Sequence, residues 1–158
     1  MTFMKIAIAS DFSGFNLKEA VKIFLIEQGY DITDLGQQTA DKQMLYYEAA
    51  ANLSQAVGKG EYDRGLVFCG TGAGVSLIAN KHKGVYCVAC ESIFTAEKIS
   101  LINNANVLAM GERVVSQAIA CEMAQKFIEG IWCNGFEEQR KKNNENGFKI
   151  LQQIESGN

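Results

Sequence analysis

Five short apolar runs alternate along the chain with stretches whose apolar positions recur every three or four residues. Residues 5–10, Lys-Ile-Ala-Ile-Ala-Ser, read as a first buried strand. Phe15, Leu17, Val21, Phe24 and Leu25 then recur at helical spacing through Gln28, with Ser13 as N-cap and Gly29 as the closing residue. Residues 30–35 read as a second strand and 36–43 as a polar loop. An alanine-rich helix over 46–58 stops at Gly58-Lys59-Gly60. Residues 64–68 form the third apolar run, and 75–81 open a helix after it. The fourth strand is expected over 84–90, followed by a helix capped by Ser92 and running to Leu101. Asn103-Asn104-Ala105-Asn106 is a turn. A fifth strand over 107–110 ends at Gly111, and 114–130 is a long amphipathic helix.

Strands alternating with helices predict an α/β fold: a doubly wound, parallel, five-stranded sheet between two helical layers. Right-handed crossovers gather the strand C-termini on one edge, where ligands bind near the switch in strand order. Asp11, Cys69, Glu91 and Gly111-Glu112-Arg113 end strands one, three, four and five, so they are expected on that rim. Residues 1–135 read as one domain. Residues 136–158 read as a helical tail with Phe148, Ile150, Leu151 and Ile154 as its apolar stripe. That stripe is expected to pack on the body or on a neighbouring subunit, and the run Asn143-Asn144-Glu145-Asn146 to interrupt the helix. Trp132, near the start of the tail, reads as a packing aromatic.

Composition narrows the function classes. A 158-residue chain, 47% hydrophobic, can build a substantial core. Its formal net charge of -3, with no basic stripe, argues against a nucleic-acid partner. The N-terminal apolar run is too short for a signal segment or a membrane span, so a cytoplasmic protein is expected. Five cysteines, an odd number, point to reduced thiols. Cys87 and Cys90 form a C-x-x-C within an apolar strand, which suits packing better than metal or redox work. The single histidine, His82, lies between lysines at a helix end. Its solitude removes most histidine-based zinc sites and nucleophile–histidine triads, and no metal is expected.

The chemistry concentrates at Phe68-Cys69-Gly70-Thr71-Gly72-Ala73-Gly74-Val75-Ser76. A strand, a glycine-rich corner and a helix start together make an anion site from free backbone N–H groups. A cysteine at its entrance has its thiolate favoured. Such a thiolate can move a proton on a carbon beside a carbonyl while the loop holds the enediolate. Two other readings compete. The glycines can serve only the geometry of the corner. They can also be taken for a dinucleotide fingerprint with Glu91 as the ribose acid, but the spacing here is G-x-G-x-G and not G-x-G-x-x-G.

With Asp11, the Cys-Gly-Thr-Gly-Ala-Gly corner, Ala79-Asn80-Lys81 and the run from Asn103 to Val115, the chain resembles the family of ribose-5-phosphate isomerase B and galactose-6-phosphate isomerase over roughly residues 4 to 140. The resemblance implies a Rossmann-like sandwich and no metal or nucleotide cofactor. It also implies a homodimer or homotetramer with active sites between subunits. By position, Cys69 matches the base that moves the proton between C1 and C2. Thr71 matches a residue that aids ring opening and hydroxyl binding, and Gly70, Gly72 and Gly74 match the enediolate-holding loop. Asp11 and Tyr46 match substrate hydroxyl contacts. Asn103 matches an asparagine that polarises the carbonyl oxygen from the neighbouring subunit. Arg113 and Arg140 match phosphate contacts.

The departures from that pattern are as informative. Phe12 and Ile102 stand where the family usually has histidines, the second of which opens the sugar ring. Phe136 stands at the first arginine of the C-terminal phosphate pair, and Leu45-Tyr46-Tyr47 replaces the usual Asp-Tyr-Pro. The resemblance therefore implies an aldose–ketose isomerase whose substrate depends less on phosphate or is already open-chain. A branch of the family that acts on keto sugars derived from unsaturated uronates also lacks the ring-opening histidine. The alternative is a non-catalytic or half-site subunit of a mixed oligomer.

Overall fold

A computed structural model describes residues 3–157. Five strands form one sheet: β1 (Lys5–Ser10), β2 (Asp31–Asp34), β3 (Arg64–Cys69), β4 (Cys87–Ala89) and β5 (Val107–Gly111). They are all parallel, in the order β2-β1-β3-β5-β4. Six helices connect or follow them: α1 (Phe15–Glu27), α2 (Tyr46–Gly58), α3 (Ala73–Ala79), α4 (Ile93–Leu101), α5 (Gln117–Glu129) and α6 (Glu138–Glu155). The α/β sandwich expected from the alternating pattern is the one observed.

The two faces of the sheet differ in the size of their side chains. Ile6, Ile8, Leu66, Phe68, Leu108 and Met110 point to the layer of α1, α4 and α5. Ala7, Ala9, Val67, Cys69, Val107 and Ala109 point the other way, beneath α2 and α3. This period-two alternation assigns Cys69 to the small-residue face. The central strands are buried on both faces, which is why they read as continuous apolar runs.

Strand order places the functional edge. The crossover from β1 leads outward to β2, and the one from β3 leads the opposite way to β4. The gap between the C-terminal ends of β1 and β3 is therefore the topological switch point, and Asp11 and Cys69 flank it. Glu91 follows β4, an edge strand separated from β3 by β5, and it is exposed. It is thus removed from the place where a ribose acid belongs, which takes away the support for a dinucleotide reading.

Several boundaries differ from the sequence expectation. Only Cys87–Ala89 of the 84–90 run pairs in the sheet, because β4 has a single neighbour. The helix expected over 114–130 starts at Gln117, where the Ser116 hydroxyl accepts the Ile119 N–H. Ser13 is not the cap of α1: the cap is Gly14, and the Ser13 hydroxyl donates to the Asp11 carboxylate at 2.8 Å. The asparagine run at 143–146 does not interrupt the tail either. α6 is continuous across it, anchored further along by Phe148 against Trp132 and Tyr86 and by Glu155. The Glu155 carboxylate accepts the Gly84 N–H at 2.9 Å and the Tyr86 hydroxyl at 3.0 Å. No residue of α6 is buried.

Candidate active site

The site is built from the ends of β1, β3 and β5. Cys69 is the last residue of β3 and is buried; its sulfur accepts the Gly72 N–H at 3.1 Å. The corner can fold back on that sulfur because Gly72 adopts a left-handed backbone, φ 81°, which a side chain would strain. α3 spans only seven residues, so its dipole is a small contributor. The donor placed on the sulfur is a loop amide, and it complements a thiolate. Thr71 is exposed, and its hydroxyl accepts the Ala73 N–H at 3.3 Å, closing the start of α3.

Asp11 is buried and fixed. One carboxylate oxygen accepts the Gly14 N–H at 2.9 Å, and both lie within 2.8 Å of the Ser13 hydroxyl. The first turn of α1 is completed from β5: Glu112 accepts the Leu17 N–H at 2.7 Å. Backbone bonds from Glu112 N–H to the Cys69 carbonyl and from Arg113 N–H to the Gly70 carbonyl, both 3.0 Å, lock the β5 end to the corner. The Arg113 guanidinium lies beside Gly70, its Nε 3.7 Å from where a Cβ on that glycine would stand. Tyr46 lies against the corner from the other side. A Cβ on Gly74 would fall 2.9 Å from its ring, so only glycine lets this aromatic rest there.

Phe12 is 47% exposed at this rim, and its N–H donates to the Met44 carbonyl at 3.1 Å. Leu45, Tyr46 and Tyr47 are also exposed. The loop before them is held from beneath. Buried Gln37 accepts the Met44 N–H at 2.9 Å and donates to the Thr39 carbonyl at 2.9 Å. Its own carbonyl accepts Lys18, a lysine with no exposed side-chain surface. Lys18 pairs with Asp34 at 2.6 Å, and Lys22 pairs with the same Asp34 oxygen at 2.8 Å. Burial alone would raise the Asp34 pKa. Hydrogen bonds from Lys18, Lys22 and the Gly36 N–H, together with the Lys18 charge, overcome it and hold the carboxyl below its usual range. Lys18 and Gln37 support the site and are absent from the sequence reading, while Glu112, expected on this rim, serves there as a brace for α1; these contacts join residues far apart in the chain.

Nine of the eleven sequence-predicted site residues therefore meet at one edge: Asp11, Phe12, Tyr46, Cys69, Gly70, Thr71, Gly72, Gly74 and Arg113. Asn103 and Arg140 do not. Asn103 lies in the turn before β5, whereas Cys69 pairs with Gly111 at the far end of that strand. A five-residue strand separates the two edges by about 15 Å. Arg140, in the first turn of α6, is exposed and stacks on Phe136 at 3.8 Å. A concavity of about 590 Å³ also lies at this second edge and is lined by Lys81, His82, Tyr86, Asn103, Leu151 and Ile154, not by Cys69.

The remaining thiols are packing groups. Burial pushes Cys87 up to about 12, aided by Cys90, and Cys90 up to about 11. All five cysteines are free. Among the described residues no cluster of histidine, cysteine or carboxylate side chains has the geometry to hold a metal ion, and no helix is long and apolar enough to cross a membrane.

Comparison with known proteins identifies the fold and the family. The chain is 42% identical over 139 residues to the 4-deoxy-4-sulfo-D-erythrose isomerase of Clostridium sp. (strain MSTE9), covering 88% of this chain and 87% of that one. It is 37% identical to D-erythrulose-4-phosphate isomerase 2 of Mycolicibacterium smegmatis, covering 79% and 84%. The ribose-5-phosphate isomerase B structure of Clostridium thermocellum superposes with a TM-score of 0.88 at 33% identity, covering 98% and 99% of the two chains. The model of the ribose/galactose isomerase family matches residues 6–146, and with the Cys69 corner intact inside that match the chain belongs to this family of isomerases.

Proposed function

We propose that the protein is a cofactor-free aldose–ketose isomerase acting on a four-carbon sugar whose C4 carries an acid group. The observation that carries this reading is the pairing at one rim of a buried Cys69, with an amide on its sulfur, and an exposed Phe12 where the family usually has a histidine. A five- or six-carbon aldose spends most of its time as a ring and needs an acid to open it. A tetrose closes a ring only through its C4 hydroxyl. With a sulfonate or phosphate at C4 that route is blocked, and nothing remains to open. Phe12 and Ile102 then cost the enzyme nothing. Two relatives carry such substrates in their names, 4-deoxy-4-sulfo-D-erythrose and D-erythrulose 4-phosphate.

In this mechanism the Cys69 thiolate takes the proton from C2 of the open-chain aldose. The electrons of the broken C–H bond move toward C1, and the enediolate charge on O1 is held by amides of the 70–74 loop and by Thr71. The proton on O2 passes to O1, and the Cys69 thiol returns its proton to C1, giving the ketose. Asp11 and Tyr46 orient the hydroxyl groups, and Arg113 meets the C4 anion. A sulfonate carries one charge where a phosphate carries nearly two. That suits a clamp in which Phe136 has replaced an arginine.

Asn103 and Arg140 complete the site only if a second copy brings its opposite edge to the Cys69 corner, so the active form is a homo-oligomer. The intact Cys69 corner weighs against a purely structural subunit. Five free thiols suit a reducing cytoplasm.

The test is solvent exchange in deuterated water, followed by NMR at the proton next to the carbonyl. Substrates are 4-deoxy-4-sulfo-D-erythrose, D-erythrulose 4-phosphate and ribose 5-phosphate. The expected result is exchange on the two tetroses with kcat/KM at least about tenfold above that on ribose 5-phosphate, lost in Cys69→Ala. Faster turnover of ribose 5-phosphate, or no exchange on any of the three, overturns the reading.

A further inference from the structure

We infer that Trp132 is a positioning residue for the reaction, and that it acts in trans by fixing the turn that offers Asn103 to another copy's Cys69. The inference rests on the proposed role of Asn103 and adds the device that aims it. α4 ends at Leu101, and its final carbonyls point toward the second edge of the sheet. Both are taken up by the segment that follows α5. The Trp132 indole N–H donates to the Ile102 carbonyl at 3.2 Å, and the Cys133 N–H donates to the Leu101 carbonyl at 2.8 Å. The next residue after that bonded Ile102 carbonyl is Asn103.

The other side of the turn is fixed as firmly. Asn104 takes a left-handed backbone, φ 57°. The Ala105 N–H donates to the Ile99 carbonyl at 3.0 Å, and the Ala105 carbonyl accepts the Arg64 guanidinium. The Asn106 side chain bridges the Gly84 carbonyl and the Tyr86 N–H, each at 2.8 Å. These bonds run through the neighbours of Asn103, and its own amide takes no part in them. An exposed amide on a turn braced on both sides is an arrangement for presenting that amide outward.

Trp132 is also held in place. Its ring packs edge-on against Phe148 of α6 with centroids 5.3 Å apart, and Phe148 packs against Tyr86 at 5.0 Å. An aromatic row thus runs from the tail helix to the carbonyl beside Asn103. Positioning of this kind has leverage, because misplacing a catalytic group by about 1 Å can lower turnover by about 100-fold.

The test uses mixed oligomers, purified through two different affinity tags. A Cys69→Ala chain joined with an Asn103→Ala chain leaves one complete kind of site, with Cys69 from the second chain and Asn103 from the first. Trp132→Phe keeps the ring but removes the indole donor. It is introduced either on the Cys69→Ala chain or on the Asn103→Ala chain. The two assemblies carry the same substitutions in total, so any shared loss of stability cancels between them. Deuterium exchange on 4-deoxy-4-sulfo-D-erythrose and D-erythrulose 4-phosphate is the readout. The expected result is a kcat about tenfold lower, with KM little changed, when Trp132→Phe rides on the Cys69→Ala chain than when it rides on the other. Equal activity in the two arrangements overturns the inference and leaves the intersubunit site standing. Failure of the mixed oligomer to recover activity, with an active wild type, overturns the intersubunit site itself and the inference with it. A wild type silent on both tetroses overturns the proposed function beneath both.

Discussion

The two edges of the sheet are built on different plans. At the Cys69 edge the sulfur is engaged by Gly72, Asp11 by Gly14 and Ser13, and Glu112 by Leu17, all within one chain. At the Asn103 edge the backbone is equally braced, but the two side chains proposed to serve the reaction lie outside that bracing. Asn103 stands outside its turn's bonds, Arg140 lies on the face of Phe136, and the tail helix buries none of its residues. One edge is a closed corner, and the other, in the proposed assembly, is half of a contact. The lesson is that order in the backbone and completion of the site are separate properties.

The comparison can be broken most sharply at Cys69. Cys69→Ala removes the proposed base from the closed edge, and we expect isomerase exchange to fall by about 10⁴-fold with the fold unchanged by circular dichroism. More than a few per cent of residual exchange removes Cys69 from its role.

The next effect is on stability at the same edge. Asp34→Asn leaves buried Lys18 with only the Glu19 carboxylate, 3.0 Å away, as a charged partner, which should cost up to about 3 kcal/mol in a denaturant titration at neutral pH. The sign with pH follows from a folded carboxyl held below its unfolded value of 3.8. The stabilisation is fully present above that pH and is lost as the pH falls through the lower folded value. The gap between wild type and variant should therefore narrow below about pH 4. A gap that widens on acidification contradicts the assignment.

At the other edge, Asn103→Ala should lower kcat by about 100-fold, as loss of one carbonyl-polarising donor does. Its own thermal unfolding should stay within about 1 °C of wild type, because an exposed amide outside the local bonds contributes little to stability. A large drop in melting temperature would make Asn103 a structural residue.

The smallest effect is expected at Arg113. Arg113→Ala should raise KM for either C4 acid by about tenfold and leave kcat nearly unchanged. An unchanged KM would place the anion elsewhere.

Much of this was legible in the sequence, and the parts that were not have physical reasons. The central strands announced themselves because both of their faces are buried, and the corner did so because glycine and cysteine fall where a strand turns into a helix. β4 read too long because an apolar run says nothing about how many neighbours a strand has. Ser13 looked like a cap because caps are sought nearby, while Glu112 lies 95 residues from the N–H it accepts. The asparagine run looked like a break because local propensity is weak against anchors on its far side, here Phe148 and Glu155. The separation of Asn103 from Cys69 was available in principle. A turn that leads into a parallel strand must lie at the edge opposite the one where its neighbour ends.

That placement has a kinetic consequence. If the two halves of the site come from different copies, one chain alone is a finished fold without a finished reaction. Rate per chain then depends on how many chains find each other. Serial dilution should lower specific activity along a binding curve, and a freshly made subunit should stay silent until it meets a second.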